Sequence, residues 1–202
     1  MKTLIVKYLP SGENSKTQRL LELFLDKIDG RIEVLDLLKD TPPIHDEASI
    51  AAYYKRNYGG QKLSESESLN LAKQDKLKAQ LISCDILVMA YPMHNFGMPA
   101  AVKAYMDSVI MKGETFEAGK KLMAGKKALT LYTSGGSYDS ETFNLQYPNW
   151  DTITLLSKIN FGFMGFDEAQ VIGASLSNES KVAAILAESG EKIDKIVKKW
   201  YK

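Results

Sequence analysis

Cysteine and histidine are scarce in this 202-residue chain: one cysteine, Cys84, and two histidines, His45 and His94. A single thiol cannot close an intrachain disulfide, which fits a reducing compartment, and so few soft ligands argue against a His/Cys metal centre; no metal site is expected. Neither charge is in excess, with 26 Lys and Arg against 25 Asp and Glu, so the chain lacks the basic footprint of a nucleic-acid or acidic-membrane binder. No apolar run approaches the roughly 20 residues of a membrane span. The opening MKTLIVKYLP is too short for a secretory leader. A cytoplasmic protein with neither nucleic-acid nor membrane partner is the expectation. Two phosphate-binding signatures are also absent. There is no GxxxxGK[ST] loop, and no GxGxxG follows a strand, since Gly162 and Gly165 come after a helical pattern. Triphosphate chemistry and the Rossmann mode of holding a pyridine nucleotide are thereby disfavoured.

What is present is an alternation of short apolar runs with helical patterns, on 45% apolar residues, enough for one substantial core spanning 1–202. Strands are expected at Lys2–Leu9, Ile32–Leu38, Ile86–Ala90, Lys126–Thr133 and Glu168–Ala174. In the second of these, Ile32 and Val34 form the apolar alternation and Leu35, Leu37 and Leu38 crowd the end. Helices are expected after Ser15, from Ser64 or Ser66 to about Ser83, from Ala100 to about Val109, from Asp151 or Thr152 to about Phe163, and from Ser177 or Asn178 to Trp200, each opened by a residue suited to capping or to the first turn. Asp40–Gly60, with its three tyrosines (Tyr53, Tyr54, Tyr58), reads as a long excursion with a short helix inside. Strands alternating with helices give an α/β fold: a doubly wound, five-stranded parallel sheet with helices on both faces. One excursion and right-handed crossovers suit the flavodoxin-like order 2-1-3-4-5, whose ligand crevice lies at the loops after strands 1, 3 and 4.

Those three loops are the most unusual in the chain. The first, Ser11–Thr17, leads into a helix N-terminus, where free N–H groups and the helix dipole favour a phosphate and Ser15 and Thr17 add hydroxyl donors. Plain N-capping by Ser15 is the bland alternative. The third-strand loop breaks at Tyr91-Pro92, runs Met93-His94-Asn95-Phe96-Gly97-Met98 and re-enters a helix at Pro99; an apolar loop with one Asn and one Gly can lie against a planar ring. The fourth-strand loop, Thr133-Ser134-Gly135-Gly136-Ser137-Tyr138, carries adjacent glycines that let backbone approach a ligand closely, or that simply turn tightly. A phosphate at one end and a planar ring at the other describe flavin mononucleotide, FMN.

At these residues the chain resembles a known family. PMHNF at Pro92–Phe96 looks like the PM-aromatic-NF loop of the FMN-dependent NADH azoreductases and quinone reductases, TSGG at Thr133–Gly136 resembles their SxGG loop, and SKTQRLL from Ser15 resembles their SxS/T phosphate loop. The resemblance runs over about residues 2 to 200. It implies a homodimeric flavoenzyme in which Ser15, Lys16 and Thr17 hold the phosphate. Pro92, Met93, His94, Asn95 and Phe96 would line the isoalloxazine, and Ser134, Gly135 and Gly136 would close its other edge. Asn95 and the amides of its loop would face the flavin N5 and O4, where charge grows on reduction, and Phe116, in a Thr-Phe pair like the family's, would cover the ring.

Two departures stand out. Tyr8-Leu9 replaces the family's serine pair after the first strand, and His94 occupies the usual aromatic position. An imidazole there either packs beside the flavin or donates a proton to the acceptor. The implied activity is ping-pong reduction of a small quinone or azo acceptor with NADH or NADPH as donor, His94 and Asn95 being the candidate catalytic residues. The rival readings are a flavodoxin-type electron carrier and a flavin-free domain on the same fold; the near-neutral charge argues against a carrier that docks through a strongly acidic surface.

Overall fold

The computed structural model describes residues 1–136, 138 and 150–202. The strands are β1 (Lys2–Lys7), β2 (Arg31–Asp36), β3 (Ile86–Pro92), β4 (Lys127–Ser134) and β5 (Glu168–Ser175). They are all parallel and lie in the order β2-β1-β3-β4-β5. The helices are α1 (Lys16–Leu25), α2 (Glu47–Tyr53), α3 (Glu65–Ser83), α4 (Ala100–Val109), α5 (Thr152–Met164) and α6 (Glu179–Trp200). The doubly wound architecture expected from the alternation is thus the one observed.

Strands covered on both faces read as continuous apolar runs. In β3 every residue from Ile86 to Tyr91 is buried. Alternation then sends Leu87, Met89 and Tyr91 into a core shared with Leu77 and Leu81 of α3, Val102, Tyr105 and Val109 of α4 and Phe161 of α5. Ile86, Val88 and Ala90 enter the opposite core with Leu20, Leu21 and Phe24 of α1 and Ile193, Val197 and Trp200 of α6. The edge strand β2 departs from the expected alternation. Ile32 and Val34 are 39% and 55% exposed, whereas Leu35 and Leu37 are buried. The reason is topological: no β2 residue belongs to the core beneath α1 and α6, so that face of the edge strand is left bare.

Helix caps follow local chemistry. Ser15 caps α1, and Ser64 caps α3 in a reciprocal box with Glu67. Asp151 rather than Thr152 caps α5, and Asn178 rather than Ser177 caps α6. Gly162 lies inside α5; Gly165 ends it in the left-handed conformation, where a Cβ would run into the Lys121 backbone. Cys84 caps the end of α3, and burial pushes its thiol up to about 11, which keeps it inert.

The excursion after β2 contains α2 followed by a π-helical turn, Tyr54–Tyr58. Arg56 in that turn grips Asp75 of α3 with both terminal nitrogens, at 2.7 and 3.0 Å, and reaches Glu114 at 3.3 Å. Lys78 bonds the same two carboxylates. Burial pushes the Asp75 carboxyl up, but its bonds from Arg56 and Lys78 outweigh that and hold it below the usual range. This cluster clamps the excursion to the segment after α4 that carries Phe116.

Candidate functional site

The carboxyl ends of β1, β3 and β4 converge on a cleft of about 270 Å³. Its floor at one end is the start of α1. The Ser15 hydroxyl accepts from the Gln18 amide at 3.4 Å. The first N–H groups of a helix have no partners within it, so those preceding Gln18 are available to a ligand. Thr17, only 1% exposed, meets Thr133 of β4 through their hydroxyls at 2.6 Å. This buried pair welds the α1 turn to the fourth strand. Lys16 lines the cleft, but its ammonium also bonds the Leu176 carbonyl and lies 3.6 Å from Glu179. It ties the starts of α1 and α6 together as well as adding positive charge.

Across the cleft the Ser134 hydroxyl donates to the Gly136 carbonyl at 2.6 Å, and the Ser177 hydroxyl donates to the Gly135 carbonyl at 2.7 Å. Nothing lies within 4 Å of a Cβ built on Gly135, so the open space a ligand edge needs is there. Ser137, in the same loop, lies outside the described residues.

Pro92 and Met93 line the cleft on the β3 side. The Met93 amide donates to the Thr133 carbonyl at 2.7 Å. Beyond it the chain reverses sharply. His94 and Gly97 exchange backbone hydrogen bonds at 3.0 and 2.9 Å around Asn95 and Phe96, whose φ values are 46° and 62°. Consecutive left-handed residues make a tight turn, natural for Asn and costly for Phe. Such strain is held only where surroundings impose it. Here the Phe96 carbonyl accepts from the Thr152 hydroxyl, and its ring meets Trp150 and Tyr138 edge-on, with centroids 4.7 and 5.6 Å away. The turn spends the amides of Met93, His94 and Gly97; among the described residues those of Asn95 and Phe96 have no acceptor. The His94 ring is exposed and stands edge-to-face with Tyr8, at 5.8 Å. Phe116 packs against Phe163 of α5, with centroids 4.5 Å apart.

The structure therefore brings Ser15, Lys16, Thr17, Pro92, Met93, Ser134 and Gly135 to one cleft. His94, Asn95 and Phe96 form the turn at its rim, and Gly136 follows in the fourth-strand loop. Ser11, Asn14 and Thr133, within the expected loops but given no role of their own, also line the cleft, and sequence reasoning missed Ser177 as a lining residue altogether. Thr133 had a signal, being the first residue of the TSGG tetrad. Ser177 had none, because only the pairing of β4 with β5 carries its loop there.

The donor set suits a phosphate-bearing planar cofactor: hydroxyls and helix N–H groups at one end, and an apolar loop with two open amides at the other. Among the described residues no group of three or more His, Cys, Asp or Glu could hold a metal, and no helix is long and apolar enough to cross a membrane.

Comparison with known proteins agrees with this geometry. A family model for the flavodoxin-like fold matches residues 1–197. An FMN-dependent NADH:quinone oxidoreductase of Haemophilus influenzae is 32% identical over 85% of this chain and 84% of its own. One from Trichormus variabilis is 31% identical over 99% and 97%. The solved structure of an FMN-dependent NADH-azoreductase from Bacillus anthracis, in complex with FMN, superposes with a TM-score of 0.77 at 24% identity, covering 97% of this chain and 99% of that one. With the family model spanning all but the last five residues and relatives matched over 84% and 97% of their length, the chain belongs to the flavodoxin-like fold family, in the branch of the FMN-dependent NADH:quinone oxidoreductases.

Proposed function

We propose that this protein is an FMN-dependent oxidoreductase that takes a hydride from NADH and passes two electrons to a quinone or an azo compound in a ping-pong cycle. The observation that carries the reading is the convergence of three loops on one cleft, hydroxyl-rich at the α1 end and bounded by the strained Met93–Gly97 turn at the other. FMN, when bound, supplies the redox chemistry; the protein supplies position and electrostatics. Ser15, Thr17 and the α1 N-terminus hold the phosphate, with Lys16 adding charge. Pro92, Met93 and Phe96 flank the ring, the Asn95 and Phe96 amides bond its polar edge, and Ser134, Gly135 and Gly136 close the far side. His94 gives a proton to the reduced acceptor and recovers it from water. NADH is favoured as donor by the names of the relatives; no ribose-reading motif separates it from NADPH.

The working unit is proposed to be a homodimer. Leu155, Ile159 and Phe163 recur every four residues along α5 and are 51%, 53% and 54% exposed, an apolar stripe on a helix whose other face is core. Sedimentation is expected to give twice the 22.5 kDa chain mass, and Leu155→Glu with Ile159→Glu to give the monomer. A wild-type monomer with full activity would remove the dimer from the proposal. A cytoplasmic location, with Cys84 reduced, is part of the same reading.

The deciding experiment is direct. The purified protein is expected to be yellow, to release FMN on denaturation, and to oxidise NADH steadily with menadione and no added reductase. A yellow protein that needs a separate reductase would be a flavodoxin-type carrier. A colourless one that takes up no FMN would overturn the assignment.

A further inference from the structure

Tyr8 and His94 are distant in sequence, yet their rings pack edge-to-face at 5.8 Å with an interplanar angle of 77°. The backbone on both sides is fixed. Tyr8 extends β1, its amide donating to the Ala90 carbonyl at 2.9 Å, and its ring is half-buried against the core beneath α3, α4 and α5. His94 is locked by its paired bonds to Gly97. The exposed imidazole itself shows no hydrogen bond among the described residues, so its direction is left to the ring it leans on. Edge-to-face pairs with centroids 4.5–7 Å apart are the favoured aromatic geometry.

We propose that Tyr8 is a positioning residue for His94, holding the imidazole toward the acceptor side of the cleft, so that acceptor reduction depends on a residue that does not itself line the cleft. The proposal rests on the role given to His94 above. The ring is what matters, not the phenol hydroxyl: the pair is made by the faces and edges of the rings, and Phe keeps it.

The chain has only two histidines, so His94 can be followed by proton NMR of the FMN-loaded protein, its imidazole resonances assigned with His94→Phe and with His45 as internal control. In Tyr8→Leu the His94 resonances are expected to lose their ring-current displacement while those of His45 stay in place; Tyr8→Phe should retain the displacement. In stopped flow, an aromatic contact of this kind biases a rotamer by roughly two- to tenfold. Reoxidation of the reduced enzyme by menadione should slow by that factor in Tyr8→Leu and return in Tyr8→Phe, with the NADH half-reaction unchanged. In Tyr8→Leu/His94→Phe, loss of the ring should add nothing to the loss of the imidazole. Unmoved His94 resonances, or a normal reoxidation rate despite moved ones, overturns the proposal. If Tyr8→Leu fails to fold, Tyr8→Met carries the same test. Should His94→Phe itself reoxidise normally, the role of His94 fails, whereas a slow His94→Phe beside a normal Tyr8→Leu removes Tyr8 alone.

Discussion

At the α1 end of the cleft, Thr17 and Thr133 are 1% and 6% exposed and joined by their hydroxyls, and Ser15 caps the helix beneath them. At the other end, His94, Asn95 and Phe96 are exposed, Asn95 and Phe96 stand on left-handed backbone, and Phe96 is braced by Thr152, Trp150 and Tyr138. The first end is made by a helix start, whose dipole and free N–H groups exist wherever a helix begins. The second is made by a turn whose strain is held in place by Tyr138 after β4 and by Trp150 and Thr152 at the start of α5. On the proposed function, a buried helix start that receives the phosphate and an exposed, braced loop that faces the ring would place affinity for the cofactor mainly at the first end and acceptor chemistry at the second.

The sharpest way to break that division is to strip the phosphate seat. In the proposed arrangement Ser15→Ala with Thr17→Ala would remove two charge-assisted bonds worth about 1.5–3 kcal/mol each, so FMN affinity should fall by at least about 10²-fold. Riboflavin, which has the ring but no phosphate, should bind the double variant and the wild type alike. Fluorescence quenching titrations with both ligands make the comparison. An equal loss for riboflavin would mean that the helix start had collapsed rather than that a phosphate contact was lost.

At the other end, His94→Phe should leave flavin reduction by NADH within about twofold and slow reoxidation by a quinone by about 10²-fold, the lower range for a general acid. Stopped-flow traces of the two half-reactions decide it. A variant slowed in neither half would make His94 a packing residue and pass proton delivery to water.

The smallest effect sharpens the comparison from outside the cleft, at a second tie between the π-helical turn and the start of α3. Lys55 bonds both oxygens of Glu67 at 2.7 Å, and the Ser64 amide bonds one of them at 2.7 Å. The Lys55 bonds first, then those from Ser64, hold the Glu67 carboxyl down to about 2. A carboxyl whose folded value is depressed contributes stability above its unfolded value, near 4.5, and that contribution fades as pH falls through about 2. Glu67→Gln should therefore be less stable than wild type at neutral pH, with the gap in Tm closing between about pH 4.5 and 2. A gap independent of pH would show that shape, not charge, is what the tie needs.

Local chemistry explains which elements could be read in advance. Val102, Tyr105, Met106 and Val109 recur at helical spacing because one face of α4 must be buried, and all four are. Ser15 is a cap because its oxygen reaches an amide three residues on. The expected exposure pattern of β2 failed for a nonlocal reason: nothing in Ile32 or Val34 records that their strand lies at the edge. Likewise the sequence of the excursion does not announce a π-helical turn, whose Arg56 meets Asp75 and Glu114, residues 19 and 58 positions away.

By itself the sequence determined the strand–helix alternation, hence the parallel sheet, and the identity of the loops at its carboxyl edge, because periodicity, capping and turn chemistry act over a few residues. Only the tertiary structure decided that Thr17 bonds Thr133, that Ser177 closes on Gly135, that Lys16 reaches Leu176, and that Tyr8 meets His94. Those contacts join residues up to 160 positions apart. Strand order and register bring them together, so they follow from which strands pair rather than from the residues on either side of each contact.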